Sequence, residues 1–558
     1  MGNTFGMESG ELIQLHTGNV MQDAVVKFVK EIEAIGVLQY ARYETDILIE
    51  RSLSLREPLK KNCFPLFASK PRKTSTKMAI KLSTLKDDVA LFSRFYIAMQ
   101  HRQGDMDSFF RHENVAHPPS LSEQGQLRLA KKSDLLRILS NLDTTEEMPP
   151  QVDVTVIDGA ALVHLLPAKS GITFSTYAES VFIAYIKRCL ETSSRVDVVW
   201  DKYMPESLKE GTRDSRGIGS RRKVADKNKV PRNWSQFLCN SDNKKELFVY
   251  LSAALMREAW PDNKTVVITR DEAVFASNDR VSMETCTHKE EADTRMVVHT
   301  LDALRSGLTL CCIRTVDTGV VVILLGKLAD ILTLHPEAKV WVAFGSDRAY
   351  QHLNLNTIWT ELGAEKASAL PAFHAFTGCD TTSGFFGRGK KTAWETSICY
   401  PESLQTFREI SSRPFQNINL ESPLFRTLER FVVALYDRSC SDESVNELRK
   451  KLFCLQSRPI ERLPPTQDAL LQHTKRACYQ SGVWTVSLLH QPQLPSPGDF
   501  GWKKEEDSWK PVWMTQPTAA EACTELVKCK CTKGCGARCA CKRADWSCTH
   551  FCSCPCVK

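Results

Sequence analysis

The run VTVID at residues 154–158 is a short β-branched apolar segment that ends on an acidic residue. Four similar runs follow it along the chain: VDVVWD (196–201), TVVITRD (265–271), LCCIRTVD continuing into VVVILL (310–325), and KVWVAFGSD (339–347). Stretches with apolar residues at helical spacing separate these runs, at 174–192, 243–259 and 289–305. Buried strands that alternate with amphipathic helices are typical of a parallel sheet with helical crossovers. The sequence therefore predicts an α/β fold for residues 151–400.

Acidic residues recur at the carboxyl ends of these predicted strands. Asp158, Asp201 and Asp271 each end a run, and Asp317 interrupts the fourth. In an open α/β sheet, ligands bind beyond the carboxyl ends of the strands. Mg²⁺ takes oxygen ligands and needs few protein carboxylates per ion, and two such ions can clamp the oxygens of a phosphodiester during cleavage. The pattern predicts a divalent-metal site at this edge of the sheet.

Five motifs in this region, in this order, resemble the flap-endonuclease group of PIN-like nucleases. They are IDGAALVHLL (157–166), VVWDKYMPESLKEGTRDSRG (198–217), KEEADTRMVVHTL (289–301), RTVDTGVVVILLG (314–326) and FTGCDTTSGFFGRGKKTAWE (376–395). The resemblance implies a Rossmann-like parallel-sheet core and cleavage of branched or ended nucleic acids with two Mg²⁺ or Mn²⁺ ions. Six acids fall on the metal-ligand positions of that family: Asp158, Asp201, Glu291, Asp293, Asp317 and Asp380.

The same resemblance implies which basic residues contact nucleic acid. One group follows Asp201 in a basic arch, and the other forms a Gly-rich turn of a helix–turn–helix that grips duplex DNA. Backbone N–H groups and Lys side chains at a helix start suit phosphate binding. The basic residues are Lys209, Arg213, Arg216, Arg388, Lys390 and Lys391.

The chain departs from this family at the fourth motif, where the family usually has two Asp one residue apart. Here Asp317 is followed by Thr318 and Gly319, so the second carboxylate is absent. Glu290 and Asp347 are candidate replacements. Two interpretations stay open: a metal-dependent, structure-specific nuclease, and a catalytically inactive PIN-like protein that binds DNA or chromatin, including one derived from a mobile element.

The C-terminal segment is rich in cysteine, with ten of the chain's 21 Cys between Cys523 and Cys556. Most of these Cys lie two to four residues apart, among Lys and Gly, and thiolates at this spacing suit tetrahedral zinc. So few apolar residues do not build a core, and metal binding would have to supply the folding free energy. The other eleven Cys are scattered, as expected of reduced thiols, which favours zinc over disulfides.

Nine of these cysteines resemble the CXC module of tesmin-like DNA-binding proteins, in which nine Cys hold three zinc ions through shared thiolates. They are Cys529, Cys531, Cys535, Cys539, Cys541, Cys548, Cys552, Cys554 and Cys556. The spacing departs by one residue before Cys535 and before Cys556. Arg538 stands where the family often has an aromatic residue, and it is a further predicted contact to nucleic acid. A structural or protein-binding zinc module is the alternative.

Length and charge complete the predicted organisation. A chain of 558 residues predicts several domains. Outside the α/β region these are a mostly helical N-terminal region without an assigned role (1–150), a helical extension (401–480), a Pro- and Trp-rich linker or strap (481–522), and the zinc module (523–558).

The zinc module carries seven Lys and Arg against Glu525 and Asp545, a net +5 of the chain's +7. This charge favours a polyanion partner, predicted to be DNA.

The sequence also predicts the compartment. No apolar run reaches the ~18 residues of a membrane span, and no signal peptide is predicted. We therefore expect no membrane association, and action in the nucleus, with the cytosol as the alternative. The oligomeric state is left open.

Overall fold

The computed structural model describes most of the chain from residue 105 to residue 519 and parts of both ends. The described ranges are 23–53, 105–144, 151–169, 171–204, 207–209, 219–281, 283–286, 289–346, 349–456, 459–505 and 508–519, with shorter pieces at 12, 20–21, 92–93, 96, 149, 531, 534–536, 539, 542 and 554–557. Eight residues singled out by the sequence lie outside them: Arg213, Arg216, Asp347, Cys529, Arg538, Cys541, Cys548 and Cys552.

A seven-stranded sheet lies at the centre of the described chain. After a small hairpin, β1 (Ser122–Glu123) and β2 (Gln126–Leu127), its strands are β3 (Val152–Asp158), β4 (Ser193–Val199), β5 (Thr265–Arg270), β6 (Ala273–Ala276), β7 (Leu310–Thr315), β8 (Lys339–Phe344) and β9 (Gln351–Asn354). Their spatial order is β6-β5-β4-β3-β7-β8-β9. The five inner strands are parallel, and β6 and β9 pair antiparallel at the two edges. This largely parallel sheet confirms the predicted α/β fold.

Buried residues cover both faces of the inner strands. Along β3, Val154 and Val156 face one hydrophobic core, and Ile157 faces a second core that also contains Val196 and Val198 of β4. Alternate residues of a strand point to opposite faces, so one β-branched run supplies both cores.

The strand order reverses beside β3. From β3 the chain adds β4 and then β5 on one side, and later returns to add β7 and β8 on the other. The connections that leave β3 and β7 therefore diverge, and a crevice opens beyond the carboxyl ends of these two strands. Asp158 is the last residue of β3, and Asp317 lies two residues beyond β7.

Helices make up most of the remainder of the described chain, and several of them pack against the sheet. They are Asp23–Lys30, Ile32–Tyr43, Met106–Arg111, Ser133–Ser140, Gly159–Leu165, Phe174–Tyr177, Ala184–Thr192, Trp234–Leu238, Ser241–Arg257, Ala292–Arg305, Thr318–Leu334, Leu355–Leu362, Ala364–Phe376, Lys390–Cys399, Pro401–Ser412, Pro423–Tyr436, Val445–Gln456 and Gln467–Thr485. Two π-helical turns (Glu44–Ile49, Ala178–Ile183) and three 3-10 turns (Ile460–Arg462, Pro497–Phe500, Pro555–Val557) accompany them.

One predicted strand is a helix. The run VVVILL, residues 320–325, belongs to the helix Thr318–Leu334, which follows β7 directly. All six residues of the run are buried in the core. A helix that is apolar on every side has no periodicity that distinguishes it from a buried strand, and the prediction of strand for this run was wrong.

The N-terminal and C-terminal parts of the described body are joined. The Glu113 carboxylate forms an ion pair with Arg449 at 3.3 Å and accepts a hydrogen bond from Thr466 N at 2.7 Å. Close by, Asn114 N donates to Thr518 O at 2.8 Å. Residues 105–144 therefore pack on the same body as the C-terminal helices.

The Pro- and Trp-rich segment also packs on this body. It contains the hairpin of β10 (Trp502–Glu505) and β11 (Ser508–Pro511). The buried Arg476 donates hydrogen bonds to Gly501 O and Val512 O and lies over the ring of Trp513. Trp502 and Trp513 are both buried. Among the described residues, no helix is both long enough and apolar enough to cross a bilayer.

Candidate metal centres

Asp158 lies at the floor of the crevice between β3 and β7. One carboxylate oxygen accepts a hydrogen bond from Ala161 N at 2.9 Å and so caps the helix Gly159–Leu165. The other accepts from the hydroxyl of Thr315, the last residue of β7, at 3.2 Å. Burial and the charge of the nearby Asp201 raise the pKa of Asp158 to about 7. A carboxyl group with this pKa is only partly ionised at neutral pH, and a nearby positive charge would favour its ionised form.

Three further acids approach from the next strand and the helix that faces it. Asp201 follows β4, and its carboxylate accepts a hydrogen bond at 2.9 Å from Ala292 N, at the start of the helix Ala292–Arg305. Glu291 and Asp293 flank Ala292, so the helix start carries both acids to the crevice. Partial burial and the charges of Asp317 and Glu291 raise the pKa of Asp293 well above its usual range.

The remaining two acids are joined by a lysine. Asp317 caps the helix Thr318–Leu334 by accepting from Gly319 N at 2.7 Å. The ammonium group of Lys132 lies 3.2 Å from an oxygen of Asp317 and 2.9 Å from an oxygen of Asp380. Burial opposes the charge of Lys132, but Asp317 and Asp380 outweigh it and raise its pKa above the usual range.

A second lysine joins the cluster from the opposite side. The Lys209 ammonium lies 2.7 Å from Glu291 and 3.9 Å from Asp380. Burial again opposes its charge, and these two carboxylates raise the pKa of Lys209 well above its usual range. Lys209 was predicted to contact nucleic acid, and in this structure it is paired inside the carboxylate cluster.

The structure thus places all six predicted acids in one electrostatic network. The network, named here the acid cluster, consists of Asp158, Asp201, Glu291, Asp293, Asp317 and Asp380 with Lys132 and Lys209. Two ammonium groups face six carboxylates, so negative charge is in excess. Among the described residues, no three acids bring one oxygen each within 4.8 Å of one another. Oxygen donors with an unbalanced negative charge fit Mg²⁺ or Mn²⁺.

Lys132 is the residue of the acid cluster that the sequence analysis missed. It comes from the N-terminal region, far from the five motifs, and precedes the short helix Ser133–Ser140. One Lys in a connecting segment carries no periodic or spacing signal. Its place depends on tertiary contacts that the sequence does not display.

Gly319 lies beside the position of the absent carboxylate. A Cβ atom at this residue would lie 2.9 Å from an Asp293 oxygen and 3.2 Å from an Asp317 oxygen. A side chain here would therefore enter the acid cluster. Of the candidate replacements, Glu290 accepts a hydrogen bond from the Ser207 hydroxyl, and Asp347 lies outside the described residues.

The predicted basic turn differs from the expected DNA grip. Lys390 is buried, and its ammonium group donates to His374 O at 2.9 Å and to the Thr377 hydroxyl at 2.7 Å. Burial lowers the pKa of Lys390 to about 7. An ammonium group enclosed in this way does not reach a phosphate, so the prediction for Lys390 was wrong. A helix-start Lys carries no sequence signal that separates a buried from an exposed position.

The other two basic residues of this turn are more accessible. Arg388 is half-buried: it donates to Tyr436 O at 2.8 Å, and its guanidinium lies over the Tyr436 ring at 5.2 Å. Lys391 is exposed at the start of the helix Lys390–Cys399. Lys391 and the outer edge of Arg388 are therefore the parts of the turn that a ligand can reach.

Five of the nine predicted zinc cysteines lie in the described residues, and they form two groups. The sulfur atoms of Cys531, Cys535 and Cys539 lie within 4.8 Å of one another, and so do those of Cys535, Cys554 and Cys556. Cys535 belongs to both groups. Two thiolate groups that share one member fit zinc ions bridged by a common thiolate.

Comparisons with known proteins give a remote structural likeness. No model of a known protein family matches the chain, and no curated protein matches it in sequence. Among solved structures, it is similar to the flap endonuclease of bacteriophage T5 in a product complex with DNA and metal ions, at 13% identity and a TM-score of 0.29, with 58% of this chain and 99% of that chain covered. It is also similar to the catalytic core of Rad2 with a DNA substrate, at 13% identity and a TM-score of 0.25, with 60% and 93% covered. Likenesses of this degree assign no activity to the chain.

The raised pKa of Asp158 predicts a pH-dependent stability in buffer without Mg²⁺ or Mn²⁺. An unfolded Asp titrates near ~3.9, so between about pH 4 and pH 7 the unfolded chain binds fewer protons than the folded chain. The contribution of Asp158 to the free energy of unfolding is therefore unfavourable, and it grows as the pH rises through this window. We expect Asp158→Asn to melt several degrees above the wild type at pH 8 and close to it at pH 4.

Thermal melts of both proteins across this range, with Asp271→Asn as the matched control, measure the effect. Asp271 directly follows the strand β5, but it is exposed and outside the acid cluster. Parallel melting curves for wild type and Asp158→Asn at every pH would contradict the assignment.

The shared thiolate predicts unequal zinc losses. Because Cys535 belongs to both groups and Cys556 to one, we expect Cys535→Ser to lose more zinc per chain than Cys556→Ser. Elemental analysis of the purified variants measures this, with Cys399→Ser as a control that retains full zinc because Cys399 is exposed and outside both groups. Equal zinc content in the Cys535 and Cys556 variants would exclude a shared ligand.

Proposed function

We propose that this protein is a divalent-metal-dependent phosphodiesterase that cleaves nucleic acid in a structure-specific manner. The observation that carries the proposal is the acid cluster: six carboxylates from five segments of the chain lie together where the strand order reverses. Strand or helix capping alone accounts for Asp158 and Asp317, but not for Glu291, Asp293 and Asp380. A surplus of carboxylates at such a crevice, with raised pKa values for Asp158 and Asp293, is typical of a functional site.

In this proposal, different residues of the chain bind the metal ion and supply positive charge to the substrate. Asp158, Asp201 and Asp293 are the metal ligands, since no described Lys or Arg forms an ion pair with them. A bound divalent ion supplies a Lewis acid for a phosphoryl oxygen and lowers the pKa of a water ligand. Lys209, paired with Glu291 in the acid cluster, supplies positive charge toward the scissile phosphate.

The cysteine segment is proposed to hold three zinc ions and to retain the substrate. The two thiolate groups that share Cys535 support a multinuclear zinc module. The net charge of +5 over residues 523–558 supports contact with a polyanion. We take DNA as the partner and the nucleus as the compartment. The predicted basic arch and Arg538 would add positive charge that also favours contact with a polyanion.

A second candidate function is DNA or chromatin binding without cleavage. The absent carboxylate at Gly319 favours it, because fewer oxygen ligands bind a second divalent ion more weakly. This candidate predicts salt-dependent DNA affinity that falls when residues 523–558 are deleted, with no cleavage product at any metal concentration.

A cleavage assay tests the proposed function. The full-length, zinc-loaded protein is incubated with Mg²⁺ or Mn²⁺ and with flap, nicked and single-stranded DNA. We expect cleavage by the wild type and a loss of about 10²-fold or more for Asp158→Asn and Asp201→Asn, the scale seen when preorganised transition-state stabilisation is removed. Asp271→Asn is the matched control and should retain full activity.

The outcome separates the two candidates. Metal-dependent product that is lost in the Asp158 and Asp201 variants supports the phosphodiesterase. Product that persists unchanged in both variants, or no product with any substrate, would reject it.

A further inference from the structure

We propose that the ammonium group of Lys132 replaces one of the two divalent ions, so that the acid cluster binds a single Mg²⁺ or Mn²⁺. This inference rests on the proposed function and specifies its metal site. It revises the two-ion site that the sequence resemblance implies. In the revised site, the positive charge of Lys132 takes the place of the second ion.

The position of the Lys132 ammonium group supports this proposal. It lies 2.9 Å from Asp380 and 3.2 Å from Asp317, between two acids that come from different segments of the chain. The Lys132 side chain is 24% exposed, and the two carboxylates are 29% and 24% exposed. An ammonium group placed there offsets half of the negative charge of the two carboxylates in a partly desolvated site, where a metal ion would also act as a counter-charge.

The backbone that leads to Lys132 is held in place by contacts with the segment around Asp380. Gly384 N donates to Arg128 O at 2.8 Å, and Ala130 packs against Gly378 and Gly384, on either side of Asp380. A Cβ atom on Gly378 would lie 2.7 Å from the Ala130 Cβ, and one on Gly384 would lie 3.0 Å from it. Two glycines therefore permit this close approach, two residues before Lys132. Lys132 enters the acid cluster from a fixed backbone.

The balance of charge around Gly319 also supports this proposal. A carboxylate side chain at this position would enter the acid cluster next to Asp317. Three carboxylates around a divalent ion leave one net negative charge, and so do two carboxylates around an ammonium group. The loss of one acid at Gly319 and the presence of Lys132 therefore compensate each other.

The other carboxylates of the acid cluster lack a direct ion pair in the described part of the chain, and Lys209 acts on Asp201 and Asp293 from a greater distance. In the described part of the chain, Lys132 and Lys209 pair with Asp317, Asp380 and Glu291. No ion pair of the described residues involves Asp158, Asp201 or Asp293. We therefore assign the single divalent ion to these three carboxylates, whose oxygen atoms do not all lie within 4.8 Å of one another in this structure.

The number of bound Mn²⁺ ions tests the inference without relying on activity. Electron paramagnetic resonance counts Mn²⁺ bound to the full-length, zinc-loaded protein, and elemental analysis checks that its zinc content stays unchanged. We expect one Mn²⁺ per chain in the wild type, with an uncoupled six-line spectrum. Lys132→Met should bind two, with the dipolar broadening of a close pair. Lys131→Met is the matched control, because Lys131 is the exposed neighbour, and it should bind one.

The other outcomes overturn the inference in distinguishable ways. Two coupled Mn²⁺ ions in the wild type would mean that a metal ion displaces Lys132, and the proposed function would survive. No bound Mn²⁺ in any variant would reject the proposed function together with the inference. The wild-type spectrum alone decides between one ion and a coupled pair, so the test holds even if Lys132→Met fails to fold.

Discussion

Mutual repulsion among six carboxylates is the constraint on which the rest of this structure depends. The repulsion is strongest around Asp158 and Asp293, where burial and neighbouring acids raise both pKa values. A fold that gathers so many acids must supply positive charge, because an isolated buried carboxylate is costly. Here Lys132 and Lys209 supply part of that charge, and a divalent ion is the natural source of the remainder.

This constraint gives a role to parts of the chain that contribute no acid. Residues 105–144 pack on the C-terminal helices through Glu113 and bring Lys132 to the crevice. The close approach of Ala130 at Gly378 and Gly384 fixes the path of this segment. Residues 105–144, which belong to the N-terminal region without a predicted role, therefore contribute Lys132 to the site.

The sheet and its acids were predictable because both depend on local pattern. Apolar runs that end on Asp158 and Asp201 mark strands whose carboxyl ends must meet at one edge. The run 320–325 was not predictable, because a helix buried on all sides has no polar face to reveal its period. The positions of Lys132 and Lys390 were not predictable either. Whether a lysine is buried depends on which segments pack around it. The spacing of residues near it in the sequence does not show which segments these are.

The central claim is that the crevice beyond β3 and β7 binds a divalent ion that its carboxylates hold. Anomalous diffraction at the manganese absorption edge, from crystals of the zinc-loaded protein soaked in Mn²⁺, locates such ions directly. The account predicts one manganese peak bounded by Asp158, Asp201 and Asp293, with Lys132 still paired to Asp317 and Asp380. No manganese peak in the crevice would contradict the account.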